Sequence, residues 1–185
     1  MLTSDNIQKL LKEKGYHLNK RIDYPNFIGI RYETKINTFD DELYVIVYSD
    51  YITSSMNMYP ITTEPGLYAL RHPINANGTG ILVPGFYEDL WGFGLHKGKY
   101  EAFVQINKVR VYRDNDKDSE YDLDPATIEE GIIGANMHMA GVDSATVDNW
   151  SYACQVFKKK ADFKIVLKQS KDSGFNKFNY ILFNM

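Results

Sequence analysis

Five stretches of this chain carry a period-two pattern: "FIGIRY" (27–32), "LYVIVYS" (43–49), "KYEAFVQI" (99–106), "KVRVYR" (108–113) and "FNYILF" (178–183). Successive side chains of a strand point to opposite faces, so this periodicity predicts strands. Turn signals separate the stretches: "EPG" at 64–66, "NANGTG" at 75–80, "VPG" at 83–85 and "KG" at 97–98. Many short strands with frequent turns predict a mainly β, α+β chain built as a β-sandwich or barrel. The 14 Tyr and 10 Phe favour strands for the same reason.

Two helices interrupt the pattern. Residues 4–14 form one, with Ser4 as cap, Asp5 in the first turn, Ile7, Leu10 and Leu11 on one face and Gly15 at the end. A second is expected near 161–171, with Phe163, Val166 and Leu167 inward and Gly174 just beyond. No linker, repeat or low-complexity segment divides the chain, so residues 1–185 read as a single domain.

The net charge of -3 gives no electrostatic case for nucleic acid. The lysine run Lys158 to Lys160 reads as the solvated entrance of the second helix. No apolar run approaches the ~18 residues of a membrane span. The N-terminus "MLTSDNIQKLLKEKGY" is too polar for a secretory signal. The expectation is a soluble protein made in the cytoplasm and carried elsewhere by other means. One cysteine leaves neither an internal disulfide nor a multi-cysteine zinc site.

That cysteine, Cys154, follows His138 within "MHMAGVDSATVDNWSYACQV" (137–156). "GIIGANMH" (131–138) reads as a buried strand ending at the histidine, and "ACQVF" (153–157) as another strand or its entrance. The stretch between them is polar and reads as a loop, so both residues can meet at one mouth of a sheet. A thiol needs a base to become a thiolate near neutral pH, and an imidazole supplies one. A tight turn at Ser151 to Cys154 can offer backbone N–H groups to an oxyanion. Ser151, or a backbone carbonyl, can orient the second imidazole nitrogen. The alternative is a small buried thiol and a satisfied polar histidine.

The segment resembles the active-site segment of the L,D-transpeptidase (YkuD-type) catalytic domain, a histidine followed by a Ser-x-Gly-Cys turn. His138 then matches the catalytic histidine, Ser151 the serine, Ala153 the glycine and Cys154 the nucleophile. Upstream, "LYVIVYSD" followed by "YPITTEPGLYAL" resembles the family's early hairpin and its TP-G turn. The chain also resembles a group of phage proteins with "IHRAG…WSAGCQVF" in this place. Three positions depart from the family pattern. Met139 stands for the glycine after the histidine, Ala153 for the glycine before the cysteine, and Val156 for an arginine that helps hold the site and its anionic substrate.

The resemblance implies a single L,D-transpeptidase-like domain that needs no cofactor. Cys154 attacks the amide between an L-centre and a D-residue of a peptidoglycan stem peptide, and an amine or water resolves the thioester. Trp150, Tyr152 and Ala153 flank the nucleophile as candidate substrate-binding residues; the aromatic pair can equally wall the core. The rival class is a phage structural or wall-binding protein that keeps the fold without efficient catalysis. Either would act at the host wall or in the virion.

Elsewhere, "DNDKDSEYDLD" (114–124) places Asp114, Asp116 and Asp118 at alternating positions of a calcium loop and Asp122 at the ninth. Ser119 takes the usual glycine position and Pro125 the usual glutamate position. A structural calcium and a solvated acidic turn are both open. His96 in "LHKGKY" can enter a site, although a strand-end histidine beside a lysine is more often at the surface, and His17 and His72 have no site context.

Overall fold

The computed structural model describes residues 1–32, 35–141 and 144–185. Helix α1 (Ser4–Lys14) is capped by Thr3, not Ser4: the Thr3 hydroxyl accepts from the Asn6 N–H, and the Asn6 side chain accepts from the Thr3 N–H. Gly15 ends it at a φ of 68°, a left-handed conformation that glycine adopts without a steric penalty. Strands β1 (Asn26–Arg31), β2 (Asp41–Tyr48) and β3 (Ser54–Thr62) precede a short helix α2 (Leu67–Arg71). Then come β4 (Thr79–Leu82), β5 (Gly85–His96), β6 (Tyr100–Gln105), β7 (Val109–Asp114), β8 (Glu129–Gly131), β9 (Met137–Met139) and β10 (Gln155–Phe157). Helix α3 (Lys160–Asp172) and β11 (Lys177–Asn184) complete the order. Lys159 and Lys160 lie exposed at the start of α3, as a solvated helix entrance requires.

Eight strands close a barrel in the order β1-β11-β5-β6-β9-β10-β3-β2, and β4-β7-β8 form a separate small sheet. The fold is therefore mainly β and α+β, and of the two sheet architectures expected it is the barrel. Two joints of the ring are parallel, β1 with β11 and β9 with β10; the other joints are antiparallel. Alternation sorts the side chains. Phe27, Val45, Trp91, Phe103, Met137 and Tyr180 fill the main core, joined by Phe163 and Val166 of α3. Ile28, Ile30, Tyr44, Ile46 and Ile181 form a second cluster with Ile7 and Leu11 of α1. β1 is thus covered on both faces. Among the described residues no helix is long and apolar enough to cross a membrane.

A buried arginine ties this ring to its surroundings. Arg31, 1% exposed, donates from Nε to the Thr63 hydroxyl at 2.9 Å, from Nη1 to the Leu82 carbonyl at 2.8 Å and from Nη2 to the Thr63 carbonyl at 3.0 Å. Glu64 lies 3.4 Å from Nε. Asp41 accepts from both the Thr63 N–H and its hydroxyl.

The β5–β6 hairpin turns at Lys97 and Gly98, both left-handed, with φ of 49° and 68°. It sets His96 opposite Tyr100, and Phe103 of β6 pairs with Met137 of β9. The order β5-β6-β9-β10 therefore gathers His96, Tyr100 and His138 beside the chain that enters β10, where Cys154 lies.

Candidate active site

In the parallel β9–β10 pair His138 is the register partner of Val156, two residues beyond Cys154. The thiol packs against the segment before β9: Sγ donates to the Gly134 carbonyl at 3.3 Å, and the Asn136 backbone N–H lies against the sulfur. Cys154 is buried, and burial pushes its thiol up to about 11, with the Asn136 N–H and the Lys97 charge pulling more weakly the other way. The pairing expected from sequence would expose and acidify this thiol; in the folded chain it is covered and neutral.

His138 is 1% exposed. Its Nδ1 lies 2.9 Å from the Met139 carbonyl and 3.2 Å from the Tyr100 hydroxyl. A carbonyl only accepts, so Nδ1 carries the proton and Nε2 is left as the basic nitrogen. Nε2 is buried and has no hydrogen-bond partner among the described residues. Of the two orienters open in the sequence, the imidazole uses the backbone carbonyl. Ser151, fully buried, instead donates to the Cys154 carbonyl at 2.9 Å and braces the cysteine turn.

His96 is the residue that sequence reading misplaced. It is buried rather than superficial, and its ring stacks on His138 with centroids 3.9 Å apart. Its Nδ1 lies 3.2 Å from the Asn136 amide nitrogen. Burial lowers His138 to about 3, helped by His96 and Lys97, and lowers His96 to about 4, helped by Lys97. Two stacked imidazoles cannot both carry charge in a desolvated space. The "HKGK" turn marks the hairpin that sets His96 opposite Tyr100, but the stacking on His138 follows from β9 lying beside β6.

The segment between β9 and β10 covers the cysteine. Val142 and Asp143 of the expected loop lie outside the described residues. Trp150 packs on an apolar cluster of Phe39, Ala140, Val147, Cys154 and Val156. Gly141 meets the indole so closely that a Cβ there would fall 2.2 Å from Trp150 Cη2. Gly66 serves the same end on the other flank. Its N–H donates to the Ser151 carbonyl at 3.0 Å, and a Cβ on it would fall 2.0 Å from the Asp148 carbonyl oxygen.

The three candidate substrate-binding residues do not share one cavity. Trp150 lines a space of about 280 Å³ with His96, Lys97, Lys99, Tyr100, His138 and Asn149. Tyr152 and Ala153 line another, of about 330 Å³, with Thr79, Gly80, Arg113 and Ile133. Val156 is fully buried in the apolar cluster, which leaves no room for a charged head at that position. The cations beside the site are Lys97 and Lys99, neither of which forms an ion pair among the described residues.

The acidic loop lies apart from this site. Ligand atoms of Asp114, Asp116 and Asp122 lie within 4.8 Å of one another. Asp118, expected to join them, does not belong to this group, and its Oδ1 accepts the Glu120 N–H at 2.6 Å.

One consequence for the thiol is measurable. Iodoacetamide alkylation of Cys154 should show a midpoint displaced upward from the free-thiol value of about 8.5. Trp150→Ala, which removes the cover, should bring the midpoint down and raise the rate at pH 8 by roughly tenfold or more. A parent midpoint at or below the free-thiol value would contradict the buried, neutral thiol. Comparison with protein-family models, curated protein sequences and solved structures returned no match.

Proposed function

We propose that this chain is a cysteine acyltransferase or peptidase of L,D-transpeptidase type, acting on peptidoglycan stem peptides, with Cys154 as nucleophile and His138 as its base. The observation that supports it is the parallel β9–β10 pair, which sets His138 level with Val156, two residues past Cys154, while its buried Nε2 has no hydrogen-bond partner among the described residues, the thiol included. In this reading substrate displaces the Trp150 cover, and the thiol turns from the Gly134 carbonyl to Nε2. The Sγ proton passes to Nε2 as sulfur attacks the acyl carbon, and the imidazolium returns it to the departing amine. An amine or water then releases the thioester, regenerating the thiol. Ser151 acts as a positioning residue by holding the Cys154 carbonyl. Because both partners rest neutral, charge separation is confined to the attack step, and turnover is slow.

A second reading is a phage structural or wall-binding protein that keeps an L,D-transpeptidase-like fold without catalysis. The observation favouring it is the buried thiol donating to Gly134, together with apolar Val156 where the resembled family has an arginine.

The test is to incubate purified protein with isolated peptidoglycan and resolve the muropeptides. Parent protein should alter the profile, and Cys154→Ala should reduce the change by at least ~10³-fold, as removal of a nucleophile does. His138→Ala should fall in parallel. An unchanged profile with parent protein that still sediments with the wall would favour the binding reading. Neither effect would point to assembly in the virion.

A further inference from the structure

We infer that Asp114, Asp116 and Asp122 form a calcium site, and that the bound ion braces the turn carrying Cys154 through Tyr121. Asp114 ends β7 and is 1% exposed. Its Oδ2 accepts the Asp122 N–H at 3.1 Å, while its Oδ1 is buried with no hydrogen-bond partner among the described residues. A buried carboxylate oxygen without a donor is costly, and a cation supplies what is missing. The three ligand atoms lie within 4.8 Å of one another, close enough for one ion with bonds of ~2.4 Å to reach them together. Hard oxygen donors on a loop suit calcium, with backbone oxygens or water completing the shell.

The loop reaches the cysteine turn through a relay of hydrogen bonds. Tyr121, next to Asp122, donates its hydroxyl to the Pro65 carbonyl at 2.9 Å and accepts the Asn37 N–H at 3.4 Å. Asn37 in turn accepts from the Asp148 N–H at 2.6 Å and the Leu67 N–H at 3.0 Å. Gly66, between Pro65 and Leu67, donates to Ser151, which holds the Cys154 carbonyl. Fixing Asp122 therefore fixes Tyr121, and Tyr121 anchors both segments that flank the turn.

The test uses the full chain, stripped with chelator and titrated with calcium alone or magnesium alone. Calcium should give calorimetric binding and raise the melting temperature by about 5 °C or more at saturation. Asp116→Asn with Asp122→Asn, both exposed and nearly isosteric, should abolish the shift without unfolding the protein. Calcium should also slow alkylation of Cys154 roughly tenfold by suppressing local opening. Tyr121→Phe should keep calcium binding and lose that protection. No heat and no shift at 10 mM calcium, or a shift that survives in the double variant, would overturn the site. An equal response to magnesium would overturn the choice of ion. Protection unchanged in Tyr121→Phe would overturn the link to the cysteine.

Discussion

Arg31→Ala should melt about 10 °C below the parent, a loss of roughly 3–5 kcal/mol. The guanidinium is enclosed and makes three hydrogen bonds, to the Thr63 hydroxyl and to the carbonyls of Thr63 and Leu82. Alanine leaves those acceptors dry and unpaired, at ~1–3 kcal/mol each before relaxation. Burial pushes Glu64 up to about 8 despite the arginine, so without Arg31 that carboxyl stays protonated and adds little to the loss. Adding Glu64→Gln to Arg31→Ala should change the loss by less than ~1 kcal/mol near pH 7, because the carboxyl is then already neutral. Urea denaturation of the two variants measures both steps. A loss below ~1 kcal/mol would mean that water or a repacked neighbour replaces the arginine, contrary to its enclosure.

The second large effect is on acid stability. His138 and His96 titrate near 3 and 4 in the folded chain, well below the ~6.5 of an unfolded one. Below about pH 6.5 the unfolded state therefore binds more protons, and the stability these residues contribute is lost as the pH falls toward their folded values. Each fully shielded group is worth ~1.4 kcal/mol per pH unit in that window. With allowance for solvent screening, about 2 kcal/mol should vanish between pH 6.5 and 5. Glu64 and Asp114 work in the opposite sense, since burial raises both and they hold protons on folding. The raw curve can therefore look flat. The decisive comparison is parent against His96→Gln with His138→Gln, by urea denaturation at several pH values. The difference between the two should shrink by about 2 kcal/mol across that window; parallel curves would mean that the paired imidazoles accept protons as freely as exposed ones.

Much of the barrel was legible because half its strands carry a strong two-residue period. β2 and β11, each with one face on the main core and one toward α1, announce themselves in "LYVIVY" and "FNYILF". β3 did not, since "SSMNMYPIT" is half exposed and contains Pro60. β5 is the longest strand and also went unread. Gly85, Gly92 and Gly94 dilute its pattern, and its pairing with β11 slips near Asp89, which has a φ of 47°. "GIIGANMH" reads as one strand, but Gly134 at a φ of 79° breaks it: Gly131 ends β8 opposite Val109, and β9 begins only at Met137. The stretch between His138 and Cys154 is long enough to return the chain to a neighbouring strand, which is how β9 and β10 come to pair in parallel. The stacking of His96 depends on the β5–β6–β9 order, which no local pattern encodes. Burial raises the thiol, and the cluster it is buried in, with Phe39, Val147 and Trp150, is assembled by tertiary approach.

Closure of the ring through β1 and β11 has a kinetic meaning. Phe27 must find Tyr180, so the last joint is also among the most distant in sequence. Such pairings bring a high contact order and slow folding, because loop entropy is lost before contact energy is gained. During synthesis β1 and β5 wait with unpaired amides along one flank until β11 emerges. These are open edges of the kind that recruit strands from other chains. The mature barrel has no such edge in its ring, whereas the nascent one has two. A chain interrupted before residue 177 is therefore the species most exposed to aggregation and the one with most need of a chaperone.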